Sequence, residues 1–122
     1  MSRSQPSKLR SHRECLALVA DLVAGTQAAH EAALAILRRE VGDYVACFAA
    51  LPFDWLDDTE QARHAIAERV LARLEADRYR VLRDWRCRAL RRKDHARFWT
   101  MVRTVVWYVT IEHGGPAPPD LG

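Results

Sequence analysis

The basic and aromatic residues that could bind a ligand lie together in the last third of the sequence. Residues 78–97 carry nine arginine or lysine side chains against only two aspartates. Residues 98–113 follow directly and are apolar and aromatic, with Trp99, Trp107 and Tyr108 among them. Basic side chains neutralise phosphates, and flat aromatic rings stack on unpaired bases. The same pattern is also typical of a solvated helix face beside a buried core, so contact with nucleic acid and a purely structural role both remain open.

Composition narrows the class of protein. A chain of 122 residues predicts one domain, which buries roughly two-thirds of its unfolded surface. The net charge is only +3, but the basic residues cluster in 78–97, and such asymmetry favours an anionic partner. No apolar run approaches the roughly 20 residues that a membrane-spanning helix needs, so no membrane partner is predicted.

The cysteines and histidines form no recognisable site in the sequence. Cys15, Cys47 and Cys87 are far apart and lack the spacing of zinc or redox motifs. Their odd number and the lack of a signal peptide predict a reducing cytoplasm, and we interpret the three thiols as small, semi-buried apolar side chains. The five histidines have no nucleophile or metal-ligand spacing with cysteines or acids. We therefore predict no enzyme activity, no metal and no cofactor.

Apolar periodicity and helix-breaking residues predict an all-α fold, a compact bundle of four main helices. The predicted helices cover residues 11–24, 26–50, 59–76 and 98–113, with a short helical piece at 77–85 and a loop at 86–97. Gly25 is expected to end the first helix with a positive φ, and Thr26 to cap the second. Asp57 and Asp58 place negative charge at the start of the third. Residues 1–10 and 114–122 are predicted to be mobile tails around a domain at 11–113.

Each predicted helix carries an apolar stripe that should face the core. The stripes are Cys15, Leu18, Val19 and Leu22; Ala33, Leu37, Val41, Tyr44 and Phe48; Ala62, Ile66, Val70, Leu71 and Leu74; Leu82 and Trp85; and Phe98, Met101, Val102, Val105 and Val109. Trp99, Arg103 and Trp107 follow one another at intervals of four and define another face of the fourth helix. The aromatic and apolar residues of the connector 52–58 are expected to fold back onto the core.

The order of these helices resembles region 2 of bacterial RNA polymerase sigma factors of the short extracytoplasmic-function type. The resemblance covers residues 16–113 and rests on three segments, which are 22–29 (LVAGTQAA), 61–74 (QARHAIAERVLARL) and 98–113 (FWTMVRTVVWYVTIEH). It implies a helical fold in which one helix docks on the clamp helices of the polymerase β′ subunit. The following loop and helix then capture the non-template strand of the promoter −10 element.

The resemblance assigns candidate roles to particular residues. Opening a duplex needs a cationic surface for the backbone and a platform for an unpaired base. The candidates for contact with promoter DNA are Arg86, Arg88, Arg91, Arg92, Lys93, Arg97, Trp99, Arg103 and Trp107. The candidates for contact with the polymerase or another partner are Gln61, Arg63, His64, Ala67 and Glu68.

The chain also departs from the family pattern. The polymerase-docking face of the family is rich in acids and Gln, whereas this chain keeps Glu68 and has Arg63, His64 and Ala67 at the matching positions. No region 4 follows within these residues, so the chain is expected to be part of a longer factor or a stand-alone region 2. The alternatives are a sigma-like helical scaffold reused as a protein-interaction or regulatory module, with an anti-sigma or other regulatory protein as partner, and a sequence-independent binder of nucleic acid.

Overall fold

A computed structural model describes residues 12–53, 55–56, 58–92 and 98–114. They form four α-helices, which are α1 (His12–Ala24), α2 (Gln27–Ala49), α3 (Glu60–Arg92) and α4 (Phe98–Gly114). The predicted all-α bundle is therefore confirmed. Helices α2 and α3 occupy its centre, since each packs against all three other helices. The tails were predicted at 1–10 and 114–122, but Gly114 is the last residue of α4. Residues 1–10 and 115–122 lie outside the described residues. No helix in the described ranges combines the length and the apolar character needed to cross a bilayer.

The core lies where the predicted stripes meet. The stripes of α1 and α3 are buried throughout. The predicted stripe residues Ala33, Leu37 and Val41 of α2 and Phe98, Val102 and Val109 of α4 are buried. The buried row of each helix also runs at intervals of four through residues outside the predicted stripe, which are Val45 and Ala49 in α2 and Val106 and Thr110 in α4. Tyr44, Phe48, Met101 and Val105 are only half-buried at the edge of the core. The predicted stripes of α2 and α4 therefore include residues that lie at the edge of the core rather than inside it.

Two threonines fix the starts of α2 and α3. The hydroxyl oxygen of Thr26 accepts a hydrogen bond from the backbone N–H of Ala29 at 3.1 Å, as predicted. The hydroxyl of Thr59 accepts one from the N–H of Ala62 at 3.1 Å. Thr59 thus caps α3, because its side chain satisfies a backbone donor that has no partner within the helix. Asp57, one of the two aspartates predicted at this helix start, lies outside the described residues.

Gly25 ends α1 for a different reason from the predicted one. No glycine in the described ranges has a positive φ. Instead, a Cβ atom at Gly25 would lie 2.6 Å from the backbone oxygen of Asp21 and 3.2 Å from the Cβ of Ala29. The residue must be glycine because any side chain there would clash with the backbone of the last turn of α1 at Asp21.

Helix α3 is broken near its middle, at the boundary predicted between residues 76 and 77. Asp77, Arg78 and Tyr79 have φ values of 56°, 57° and 62°, all in the left-handed region. The guanidinium of Arg83 donates to the carbonyl oxygens of Asp77 at 2.8 Å and Arg78 at 2.9 Å. The break changes the direction of the helix, and beyond it the side chains of Tyr79 and Leu82 are buried. Packing beyond the break therefore holds a backbone conformation that costs about 1–2 kcal/mol for each L-residue.

The prediction of a loop over residues 86–97 is wrong for its first half. Helix α3 continues to Arg92, because the apolar spacing continues from Leu82 and Trp85 to Ala89, which is buried. The arginine content of this segment favours a loop, whereas its apolar periodicity indicates a helix. Residues 93–97 lie outside the described ranges.

The interpretation of all three cysteines as semi-buried is also wrong. Cys15 is buried in α1, whereas Cys47 and Cys87 are exposed. Burial, with a smaller contribution from the nearby carboxylate of Glu14, raises the pKa of the Cys15 thiol to about 11. Cys15 therefore stays protonated at neutral pH, while the other two thiols face solvent.

The break in α3 gives a direct test of its backbone. Replacing Arg78 by glycine should leave the free energy of unfolding unchanged or raise it by up to about 1 kcal/mol, because glycine adopts the left-handed conformation without strain. The matched control is Ala72→Gly, at an exposed, regular helical position of α3, which should lose about 1 kcal/mol. Urea denaturation of the full chain measures both values. Equal destabilisation by the two glycines would contradict the left-handed break.

Candidate nucleic-acid interface

An open groove runs along the outer side of α4, where it meets the end of α2. Its volume is about 540 Å³, and its lining is Phe48, Leu51, Phe53, Arg103, Thr104, Trp107 and Tyr108. Among the residues that the structure describes, the lining contains aromatic rings, a leucine, a threonine and one cation, but no acid. It therefore combines flat apolar surfaces with a single positive charge, which suits a ligand with both rings and negative charge.

Stacked aromatic side chains build the wall of this groove. The ring of Trp107 lies 5.0 Å from that of Phe48 and 6.0 Å from that of Trp55. The ring of Phe53 stacks on the outer side of Trp55, with 5.6 Å between centroids and 11° between planes. Contacts on two sides fix Trp107, which is half-buried, whereas Phe53 is 46% exposed and Tyr108 is 59% exposed. The rings that meet solvent thus rest on rings that are held in place.

Phe53 corrects the prediction that the connector folds back onto the core. Trp55 and Leu56 are half-buried, but Phe53 covers the outer face of Trp55 and stays exposed. Trp55 packs between the core and Phe53. The phenyl ring of Phe53 therefore lies at the surface of the groove.

The structure separates the predicted row of Trp99, Arg103 and Trp107. Arg103 and Trp107 both line the groove. Trp99 instead packs edge-on against Phe98, with ring centroids 4.6 Å apart, at the other end of α4. Eight residues of helix place Trp99 and Trp107 about 12 Å apart along the axis. A single nucleotide cannot contact both indoles.

The predicted basic surface on α3 is divided as well. Arg88 and Arg91 are exposed, and because they are three positions apart they share one side of the helix. Arg86 is half-buried and lies two positions before Arg88, which places it on the opposite side. The side chain of Arg92, together with Lys93 and Arg97, lies outside the described residues. The described arginines of α3 therefore do not form one continuous cationic patch.

Five groove residues are absent from the candidate site residues predicted from the sequence, namely Phe48, Leu51, Phe53, Thr104 and Tyr108. A signal was available for Tyr108. It lies about 180° around α4 from Trp99 and outside the buried row of Val102, Val106 and Val109. The exposure of Leu51 and Phe53, and the position of the half-buried Phe48, depend on how α2 ends and how the connector turns, which the local sequence does not specify.

The five residues predicted to contact a partner on α3 do not share one surface. Gln61, His64 and Glu68 are exposed and recur at helical spacing, so they form one outer face. Arg63 and Ala67 were expected on outer faces, but both are half-buried on the side of α3 that carries the core stripe. The periodicity explains this correction, because positions 63 and 67 lie beside the buried positions 66 and 70.

Ion pairs connect the outer surfaces of the central helices. The carboxylate of Glu68 accepts a hydrogen bond from Arg38 of α2 at 3.2 Å. Near the end of α4, Glu112 accepts two hydrogen bonds from Arg73, at 2.7 and 3.2 Å, and lies 3.5 Å from Arg69. The hydrogen bond from Arg73, with the positive charges of Arg73 and Arg69, holds the pKa of the Glu112 carboxyl below its usual value. The pairs of Arg69 and Arg73 with Glu112 fasten the end of α4 to α3, one helical turn beyond the groove residue Tyr108.

Comparisons of the chain with protein-family models, with curated proteins and with solved structures return no match.

The contact between Glu112 and Arg73 predicts a dependence of stability on pH. A carboxyl whose pKa is lower in the folded state stabilises the protein above the pKa of the unfolded chain, and this contribution is lost as the pH falls through the folded pKa. Glu112→Gln should therefore lower the melting temperature at pH 7 and lower it by less at pH 3, because the contribution shrinks as the carboxyl becomes protonated. Glu75→Gln, at an exposed acid of the same helix pair, is the control and should change little at either pH. Thermal unfolding followed by circular dichroism measures both. An equal loss at pH 7 and pH 3 would show that the pair does not carry the effect.

Proposed function

We propose that the chain is a sigma-factor-like domain for transcription initiation, which acts in the cytoplasm and binds core RNA polymerase and the single-stranded promoter −10 element. The resemblance of residues 16–113 to sigma region 2 supports this proposal, as does the helical bundle in which that family works. The observation that carries it is the groove on α4, with exposed rings beside Arg103 and no acid among the described residues of its lining.

The chemistry of the groove favours an unpaired strand over a duplex. The rings of Tyr108 and Phe53 offer faces to solvent, and bases expose their own faces only when they are unstacked. Arg103 lies one helical turn from Trp107, so a base on the aromatic wall has a cation within reach of its phosphate. Stacking of one base on an aromatic side chain contributes about 1–3 kcal/mol.

Binding of a fluorescently labelled single-stranded DNA with a −10-like sequence tests the groove. Tyr108→Ala should weaken binding by at least about fivefold, the lower limit for losing one stacking contact. The matched control is Leu90→Ala, which removes an exposed apolar side chain of similar exposure (53%) on α3. Arg103→Ala should also reduce the slope of log affinity against log salt by about 0.7, as expected for one phosphate contact on a single strand. Equal affinities for the Tyr108 and Leu90 variants would contradict this use of the groove.

The outer face of α3, formed by Gln61, His64 and Glu68, is the proposed contact with core polymerase. Glu68→Arg should abolish co-purification of core polymerase, because it reverses the single charge that the family pattern and this face have in common. Arg38→Ala is the matched control, since it breaks the same ion pair but leaves the carboxylate of Glu68 in place. Polymerase binding should survive in that variant. Binding that is indifferent to Glu68→Arg, or no binding by the unaltered chain, would refute polymerase docking through this face.

One observation favours the alternative of a regulatory interaction module. Of the five residues assigned to this contact, Glu68 is the one acid, and it is already paired with Arg38. A face so poor in free negative charge also suits a protein partner other than the polymerase, such as an anti-sigma protein. A stable complex with such a protein, together with loss of polymerase binding, distinguishes this module from the initiation domain.

A further inference from the structure

The break in α3 is held by tertiary packing against the preference of its own sequence. Asp77, Arg78 and Tyr79 all lie in the left-handed region, yet the whole helix Glu60–Arg92 contains no glycine, proline or asparagine. On both sides of the break the chain is rich in Ala, Leu, Glu and Arg, which favour a right-handed helix. Strained backbone of this kind is typical of segments that have a second conformation.

Two contacts show what the bent conformation depends on. The guanidinium of Arg83 bridges the break by donating to the carbonyl oxygens of Asp77 at 2.8 Å and Arg78 at 2.9 Å. The hydroxyl of Tyr79 is buried and has no hydrogen-bond partner among the described residues. A buried polar group without a partner destabilises the conformation that buries it. The bent conformation therefore relies on one side-chain bridge and on packing.

The break divides the chain into two units that pack on each other. The first unit is α1, α2 and residues 60–76, and the second unit is residues 80–92 with α4. The ring of Phe48 in the first unit lies 5.0 Å from that of Trp107 in the second. The guanidinium of Arg73 in the first unit lies 2.7 Å from the carboxylate of Glu112 in the second. A second unit from another copy of the chain offers the first unit the same surface.

We propose that two copies of the chain exchange their second units by straightening the break in α3. In the exchanged dimer, residues 76–79 are right-handed and α3 is one continuous rod of 33 residues, which is about 50 Å long. The second unit of each copy then packs on the first unit of the other. Such an exchange makes the contacts of the closed chain again between two copies, and a strained hinge favours it.

The hinge decides the balance between the closed chain and the exchanged dimer. The contacts between the two units are the same in both forms, so they do not favour either. Association costs translational and rotational freedom, whereas straightening relieves three left-handed residues in each of the two copies. Relief at one such residue favours the straight helix about fivefold or more. Because the dimer needs two chains, its fraction rises with protein concentration.

The exchange also determines which chain builds the groove on α4. Phe48, Leu51 and Phe53 belong to the first unit, whereas the groove residues between 103 and 108 belong to the second. Each groove of the exchanged dimer therefore combines residues of both copies. This consequence holds for any ligand of the groove and does not rest on the proposed function.

Cross-linking of separated monomer and dimer tests the exchange. The full chain, with the exposed Cys47 and Cys87 replaced by serine and the buried Cys15 kept, is refolded from urea at high concentration and separated by size-exclusion chromatography. The substitutions Arg73→Cys and Glu112→Cys are then joined by a short bismaleimide. The cross-links should lie within one chain in the monomer and between two chains in the dimer, because this contact joins the two units.

The matched control for this cross-link is Arg38→Cys with Glu68→Cys. Both residues belong to the first unit and contact each other at 3.2 Å, so their cross-links should stay within one chain in both species. A dimer whose 73–112 cross-links stay within one chain is associated side by side and would overturn the proposal. A chain that remains monomeric at every concentration after refolding would also overturn it.

Glycine at the hinge tests whether strain drives the exchange. Arg78→Gly should raise the dissociation constant of the dimer at least about 25-fold, or about fivefold for each of the two hinges, because glycine is left-handed without strain. The control Ala72→Gly, at a position that is helical in both forms, should leave the constant unchanged. Arg83→Ala removes the bridge across the break and should lower the constant at least about tenfold. Sedimentation equilibrium measures all three, and equal constants for the two glycine variants would refute the hinge.

Discussion

The contact between Trp85 and Phe98 determines where the rest of the structure can go. The indole of Trp85 is the largest of the fully buried side chains and meets the ring of Phe98 edge-on, with centroids 4.9 Å apart. This contact joins the last turns of α3 to the first turn of α4. Edge-to-face aromatic pairs prefer a particular angle as well as a distance. The direction in which α4 leaves α3, and therefore the side on which its outer face lies, follows from this contact.

Helix α4 is held to the bundle by two different kinds of contact, which are ion pairs with α3 and aromatic packing on α2. Glu112 fastens α4 to Arg73 and Arg69 of α3. Trp107 packs on Phe48 at the end of α2 and forms the wall of the groove. Because both contacts hold α4, the exposed rings of the groove are presented on a rigid support. Such preorganisation reduces the entropy lost on binding, so the groove is better suited to ligand contact than the separated arginines of α3.

The sequence predicted those parts of the fold that depend on interactions between residues close together in the chain. The stripes of α1 and α3, the cap at Thr26 and the break after residue 76 all follow from spacing and side-chain chemistry within a few residues. The extension of α3 through Ala89 was also present in the spacing but was obscured by the arginine content. The site was less predictable. Arg103 and Trp107 were identified, but the separation of Trp99 from the groove and the exposure of Phe53 depend on tertiary packing, which no local pattern contains.

The most direct test of the α4 groove as the nucleotide-binding surface is photo-crosslinking of the full chain to a single-stranded −10-like DNA that carries a halogenated uracil, followed by identification of the crosslinked residue. If the nucleotide binds in this groove, we expect crosslinks to the rings that line it, at Tyr108, Phe53 or Trp107. Crosslinks confined to Trp99, or to the segment around Arg88 and Arg91 with none in the groove, would contradict it.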